Sequence, residues 1–261
     1  MKLFTELPEL YRKIGSAIQS NNILKNEISE NNNINNNLNN INFNSTFDIE
    51  FKNVTFKYPK TNKYILKNSN FKIKNNLKTA IIGQSGSGKT TIMKILLKMY
   101  NIDSGEILIN NYNINNININ YLRSNISYIN QRTGLFNDSI LNNIKYGNDL
   151  TDNEIYKILN DYDLMKVYNN LSKGVNSNAG VNGNLLSLGM QKVTLLIRGL
   201  YKKSNIYILD EPLAGLDKDS RQKIIKMIND KFKNKCLIII THDTEIIPFV
   251  DEVININNIL N

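Results

Sequence analysis

No run of eighteen apolar residues occurs in the 261-residue sequence, so no stretch is long enough to cross a bilayer as a single helix. The start, Met1-Lys2-Leu3-Phe4-Thr5-Glu6, lacks the long apolar region of a secretory signal. The expectation is a chain that does not itself span a membrane. Cysteine is reduced to Cys236, which excludes a disulfide framework. Inside the run Cys236-Leu237-Ile238-Ile239-Ile240 it reads as a buried strand thiol, in keeping with a reducing, cytosol-facing compartment. Dense arginine blocks are missing as well. The formal charge of +9, from 32 Lys and Arg against 23 Asp and Glu, is spread as Lys60, Lys63, Lys67, Lys72, Lys74 and Lys78 among asparagines. That pattern reads as a solvated face, and nucleic acid is not the expected partner.

What is present begins with Gly83-Gln84-Ser85-Gly86-Ser87-Gly88-Lys89-Thr90-Thr91. The apolar run Thr79-Ala80-Ile81-Ile82 precedes it, and Ile92-Met93-Lys94-Ile95-Leu96-Leu97 follows. Strand, glycine loop and helix in this order make a phosphate cradle. Glycines let consecutive backbone N–H groups turn toward one anion, and the helix adds its positive end. The spacing Gly, four residues, Gly-Lys-Thr is that of the P-loop, in which Lys89 reaches the terminal phosphates and Thr90 places a hydroxyl on magnesium.

Taken in order, Leu7, Leu10, Tyr11, Ile14, Ala17 and Ile18 fall at helical spacing and predict an amphipathic helix. The Asn-rich stretch 31–40 has too little apolar surface to order and predicts a flexible linker, so residues 1–47 precede a domain over 48–261. Residues 49–58 and 64–73 alternate as an antiparallel strand pair. Further strands are expected at 106–109 and 126–130, with Gln131 at the strand end. The middle of the chain is helical, with a capping box at Thr151 and Glu154, and a helical subdomain is drawn over about 136–200. A helix is predicted over 192–201, a buried strand over 205–209, a helix over 218–232 and strands over 237–240 and 253–256. The buried strand ends in Asp210-Glu211. Adjacent carboxylates there are costly unless a cation or a reaction uses them. The next strand ends in Thr241-His242-Asp243, carrying the chain's one histidine to the edge where ligand groups of an open α/β sheet converge.

The P-loop, Gln131, Leu186-Ser187, Asp210-Glu211 and His242, in this order, resemble the nucleotide-binding domain of ATP-binding cassette (ABC) proteins over about residues 48–257. Within the family the likeness is to half-transporter exporters, through Tyr58-Pro59, Tyr121-Leu122-Arg123 and the run 131–140. The opening helix resembles the segment that joins their last membrane helix to the ATPase domain. The resemblance implies an α/β fold: a P-loop NTPase core with a mostly parallel sheet, an N-terminal antiparallel β subdomain and a helical subdomain.

It also implies roles for particular residues. Tyr58 would stack on adenine, while Lys89 and the backbone of Gly83, Gln84, Ser85, Gly86, Ser87, Gly88, Thr90 and Thr91 would hold the phosphates of ATP. Thr90, Asp210 and Gln131 would organise Mg2+. Glu211 would polarise the attacking water, and His242 would contact the γ-phosphate. Ser187 and Gly189 match signature positions that contact ATP bound to an opposite subunit, so the implied partners are a second ABC ATPase domain and membrane-spanning transporter domains. The implied location is the cytosolic face of a membrane. Two departures stand out: Leu188 occupies a signature position where glycine is usual, replacing free backbone dihedrals with restricted ones, and Val181 replaces a customary acidic residue. Two other readings stay open, a soluble ABC ATPase acting on nucleic acid or the ribosome, and a degenerate subunit of an asymmetric pair.

Overall fold

Two kinds of strand, half-buried and doubly buried, separate into two sheets. The computed structural model describes residues 47–84, 86–130, 133–232 and 235–256. The predicted helix over 7–18, the Asn-rich linker, Ser85 and Gln131 lie outside the described residues. The alternating stretches form β1 (Ile49–Lys57) and β2 (Tyr64–Ile73), antiparallel with Ile49 opposite Ile73. β3 (Lys78–Ile82) leaves for the second sheet, whereas β4 (Ser104–Ile109) pairs on the free side of β1 and β5 (Tyr112–Asn113) pairs with β4. The first sheet therefore runs β2-β1-β4-β5.

The second sheet is parallel and takes the order β6-β7-β8-β3-β9, from β6 (Ile126–Ile129), β7 (Ile206–Asp210), β8 (Cys236–Ile240), β3 and β9 (Glu252–Asn255). Every residue of β7 and β8 is buried, which is why these runs are apolar throughout instead of alternating. Their side chains still alternate between faces. Ile206, Ile208, Cys236 and Ile238 enter the core shared with the antiparallel sheet, while Tyr207, Leu209, Leu237 and Ile239 enter the core shared with the helices.

The helices are α1 (Lys89–Leu96), α2 (Ile119–Ser124), α3 (Ile140–Lys145), α4 (Asp152–Asp161), α5 (Leu188–Tyr201) and α6 (Lys218–Lys231). α4 carries the predicted capping box and buries Ile155, Ile158 and Leu159. α5 begins four residues before the predicted start. Ser187 is the reason: its Oγ accepts from the Met190 amide at 3.2 Å and caps the helix ahead of the apolar stretch. Because β7, β8 and β3 are parallel neighbours, the Gly83 loop, Asp210-Glu211 and Thr241-His242 all emerge at one sheet edge.

Candidate functional site

That edge holds a cavity of about 650 Å³, lined among others by Tyr58, Lys89, Thr90, Asp210, Glu211 and His242. Its volume is in the range of small-molecule sites. The loop between β3 and α1 forms one wall. Gly88 caps α1 in the left-handed region at φ 94°, and a Cβ there would lie 2.6 Å from the Ile65 side chain, so only glycine fits. Lys89 Nζ donates to the carbonyls of Gly83 and Gln84 at 2.7 and 2.8 Å, which folds the ammonium back over its own loop. Ser87 Oγ is buried and has no hydrogen-bond partner. A cradle with an ammonium, an orphan hydroxyl and a helix N-terminus fits a polyphosphate.

The opposite wall is carboxylate. Asp210 is 8% exposed; its Oδ2 accepts from the Tyr128 hydroxyl at 3.0 Å and from Thr90 Oγ1 at 3.4 Å. Burial holds its carboxyl above the ordinary carboxylate range and the charge of Glu211 adds to this, against the hydrogen bonds and the nearby Lys192. Lys192 is itself buried near both carboxylates, and burial lowers its pKa while they raise it. A carboxylate so placed, beside a hydroxyl, suits a cation. Among the described residues no cluster of three His, Cys, Asp or Glu side chains could hold a metal alone.

Glu211 carries a positive φ of 51°, uncommon for a residue with a side chain. Its amide donates to the Ile240 carbonyl at 2.8 Å, Oε2 accepts from Thr241 Oγ1 at 3.1 Å, and Oε1 lies 2.7 Å from His242 Nδ1. Its partner is a carboxylate oxygen, so His242 Nδ1 is the donor in this contact, and the 74% exposed His242 side chain lines the cavity. Tyr58 reaches the cavity from the end of β1. Its ring meets Phe56 and Tyr100 edge-on, and its hydroxyl pairs with the 6% exposed Thr91 at 2.9 Å.

The structure thus gathers Tyr58, Gly83, Gln84, Gly86, Gly88, Lys89, Thr90, Thr91, Asp210, Glu211 and His242, and does not bring Ser187 or Gly189 to this cavity. The signature pair sits at the start of α5, where a Cβ on Gly189 would lie 3.9 Å from the Gly215 carbonyl. Leu188 takes an ordinary helical backbone in the first turn and is 75% exposed, so the dihedral restriction read from the sequence is met without strain. Tyr128, Thr241 and Lys192 were not singled out by sequence. Thr241 alone carried a signal there, as a polar residue at a strand end beside His242.

The ABC transporter family profile matches residues 66–214, from β2 through the carboxylate pair to the turn after β7. The chain belongs to the ABC transporter family. A putative export ATP-binding/permease protein of Rickettsia bellii is 36% identical over 214 residues, 82% of this chain and 37% of that protein. The mitochondrial iron-sulfur clusters transporter ATM1 of Candida albicans is 38% identical over 213 residues, 80% of this chain and 28% of its own. A bacterial Atm1-family ABC exporter solved with ATP bound superposes with a TM-score of 0.74 at 28% identity, over 80% of this chain and 37% of that one. The ABC chain described here spans well under half the length of these relatives. Among its described residues no helix is long and apolar enough to cross a membrane.

Proposed function

We propose that this chain is the ATP-hydrolysing domain of an exporter-type ABC transporter, working at the cytosolic face of a membrane with membrane-spanning domains and a second ATPase domain. The observation that carries the reading is the convergence of Lys89, Asp210, Glu211 and His242 on one cavity at the edge of a parallel sheet. Phosphoryl transfer to water needs charge neutralisation and an oriented nucleophile more than covalent chemistry, and these are the groups present.

Lys89 would leave the Gly83 and Gln84 carbonyls for phosphate oxygens as ATP enters, with Tyr58 offering an aromatic face to adenine. Magnesium would neutralise phosphate charge, held from the protein side by Thr90 and Asp210 with Gln131. Glu211, fixed by Thr241 and His242, would accept hydrogen bonding from the attacking water and draw its proton. His242, held through Nδ1, would present Nε2 to the γ-phosphate. Ser187 and Gly189, away from their own cavity but beside Gly215 on the surface, would complete the cavity of an opposing subunit. The ordinary backbone of Leu188 favours a working signature over a degenerate one.

The test is Glu211→Gln, which keeps size and most contacts but removes the proton acceptor. Turnover should fall by roughly 10²–10⁴, the usual share of general-base catalysis, while ATP binding persists and ATP-bound dimers accumulate in size-exclusion chromatography. An unchanged hydrolysis rate would remove the role given to Glu211.

A further inference from the structure

Tyr128 lies on the edge strand β6, in register with Ile208 of β7. Side chains alternate with a period of two, so Tyr128, Ile208 and Asp210 share one face of the sheet. The phenol is long enough to pass Ile208 and meet the next residue on that face, and its hydroxyl donates to Asp210 Oδ2 at 3.0 Å. The same oxygen receives Thr90 Oγ1 only at 3.4 Å, a marginal contact, which leaves Tyr128 as the main donor.

The phenol hydroxyl donates and the carboxylate oxygen accepts in this bond. A carboxylate turns easily about its last torsion, whose energy wells are broad, so packing alone does not set the plane of Asp210. Tyr128 does not line the nucleotide cavity. Whatever Tyr128 does for the reaction, it does through Asp210.

We propose that Tyr128 is a positioning residue for hydrolysis, fixing the plane of the Asp210 carboxylate in the orientation from which it engages magnesium. The proposal rests on the ATPase reading and adds to it a specific support behind the metal-side carboxylate. Partners that orient a metal ligand from outside are commonly worth 10- to 100-fold in metal affinity. Without the hydroxyl, Asp210 must be ordered by the ion itself.

Tyr128→Phe keeps the ring and removes the donor. The measurement is binding of a fluorescent, non-hydrolysable ATP analogue as a function of Mg2+, with and without EDTA, followed by turnover at saturating Mg2+. Metal-free nucleotide binding should match wild type, the half-saturating Mg2+ should rise roughly 10- to 100-fold, and excess Mg2+ should restore most turnover. In an Asp210→Asn background the same substitution should add no further shift, because the two residues act as one unit. An unshifted Mg2+ requirement in Tyr128→Phe overturns the proposal. So does a loss of turnover that excess Mg2+ leaves unrepaired, or an additive shift in the Asp210→Asn background. If the wild type shows no Mg2+-dependent nucleotide binding, the ATPase reading fails and takes the proposal with it, whereas an unshifted variant beside a responsive wild type removes the proposal alone.

Discussion

Replacing Gly88 by alanine separates two constraints that meet at one atom. The residue sits at φ 94° and ψ 5°, and an alanine Cβ would stand 2.6 Å from Ile65 Cγ2 and 3.5 Å from the Ile65 carbonyl. The left-handed backbone alone costs an L-residue about 1–2 kcal/mol. The overlap falls on Cγ2, the methyl on the β-branch of half-buried Ile65, so relieving it needs a turn about the stiff χ1 of that residue and adds to the dihedral term. If the loop must hold this conformation to bind phosphate, Gly88→Ala should weaken ATP binding by roughly 5- to 30-fold from the dihedral term alone, at 1.4 kcal/mol per tenfold. Ile65→Ala in the same chain should recover the steric part and leave the rest. The assay is titration of the fluorescent nucleotide against wild type, both single variants and the double variant, each with a melting curve to register the fold. Wild-type affinity in Gly88→Ala, or complete recovery in the double variant, would refute the assignment of the loss to the backbone.

Other perturbations read different parts of the molecule. Thr241 is 1% exposed, donates to Glu211 Oε2 and accepts from the Asp243 amide at 2.9 Å. Thr241→Val should therefore lower stability by about 1.5–3 kcal/mol in denaturant melts, the range for hydrogen bonds to charged groups, and should slow turnover as well. A variant with wild-type stability would show these bonds to be dispensable. The Lys231 ammonium lies 3.7 Å from the Tyr201 ring centroid, and burial lowers its pKa from 10.5 to about 8. Above pH 8 the folded state has released this proton while the unfolded chain still holds it, so stability should climb with pH until the ordinary pKa of 10.5 is approached. Lys231→Met should flatten that climb in a series of melting curves, and an equal slope in both proteins would exclude Lys231 as its source.

Much of this arrangement was legible before any coordinates. The doubly buried runs of β7 and β8 and the strand–loop–helix order around Gly83 announced a parallel sheet with a phosphate loop, because apolar continuity and glycine spacing are local properties of a chain. The Thr151–Glu154 box was equally local. What escaped was relational. The pairing of Tyr128 with Asp210 follows from the register of β6 against β7, and the meeting of Glu211 with His242 follows from β7 lying beside β8; neither register is written in one strand. The early start of α5 escaped because Ser187 ends an irregular stretch and begins a helix with the same hydroxyl. Leu188, read from the sequence as restricting the dihedrals of a position where glycine is usual, meets that restriction with an ordinary helical backbone.

The positive φ of Glu211 carries a consequence for protein engineering. Glycine or asparagine would occupy that backbone conformation with less strain than glutamate. A campaign that ranks variants by melting temperature would therefore favour replacing Glu211, and each gain would discard the group proposed to face the attacking water. Thermal ranking of this domain is useful only when position 211 is held fixed, and the degrees it gives up there measure how far the natural sequence has placed turnover above durability.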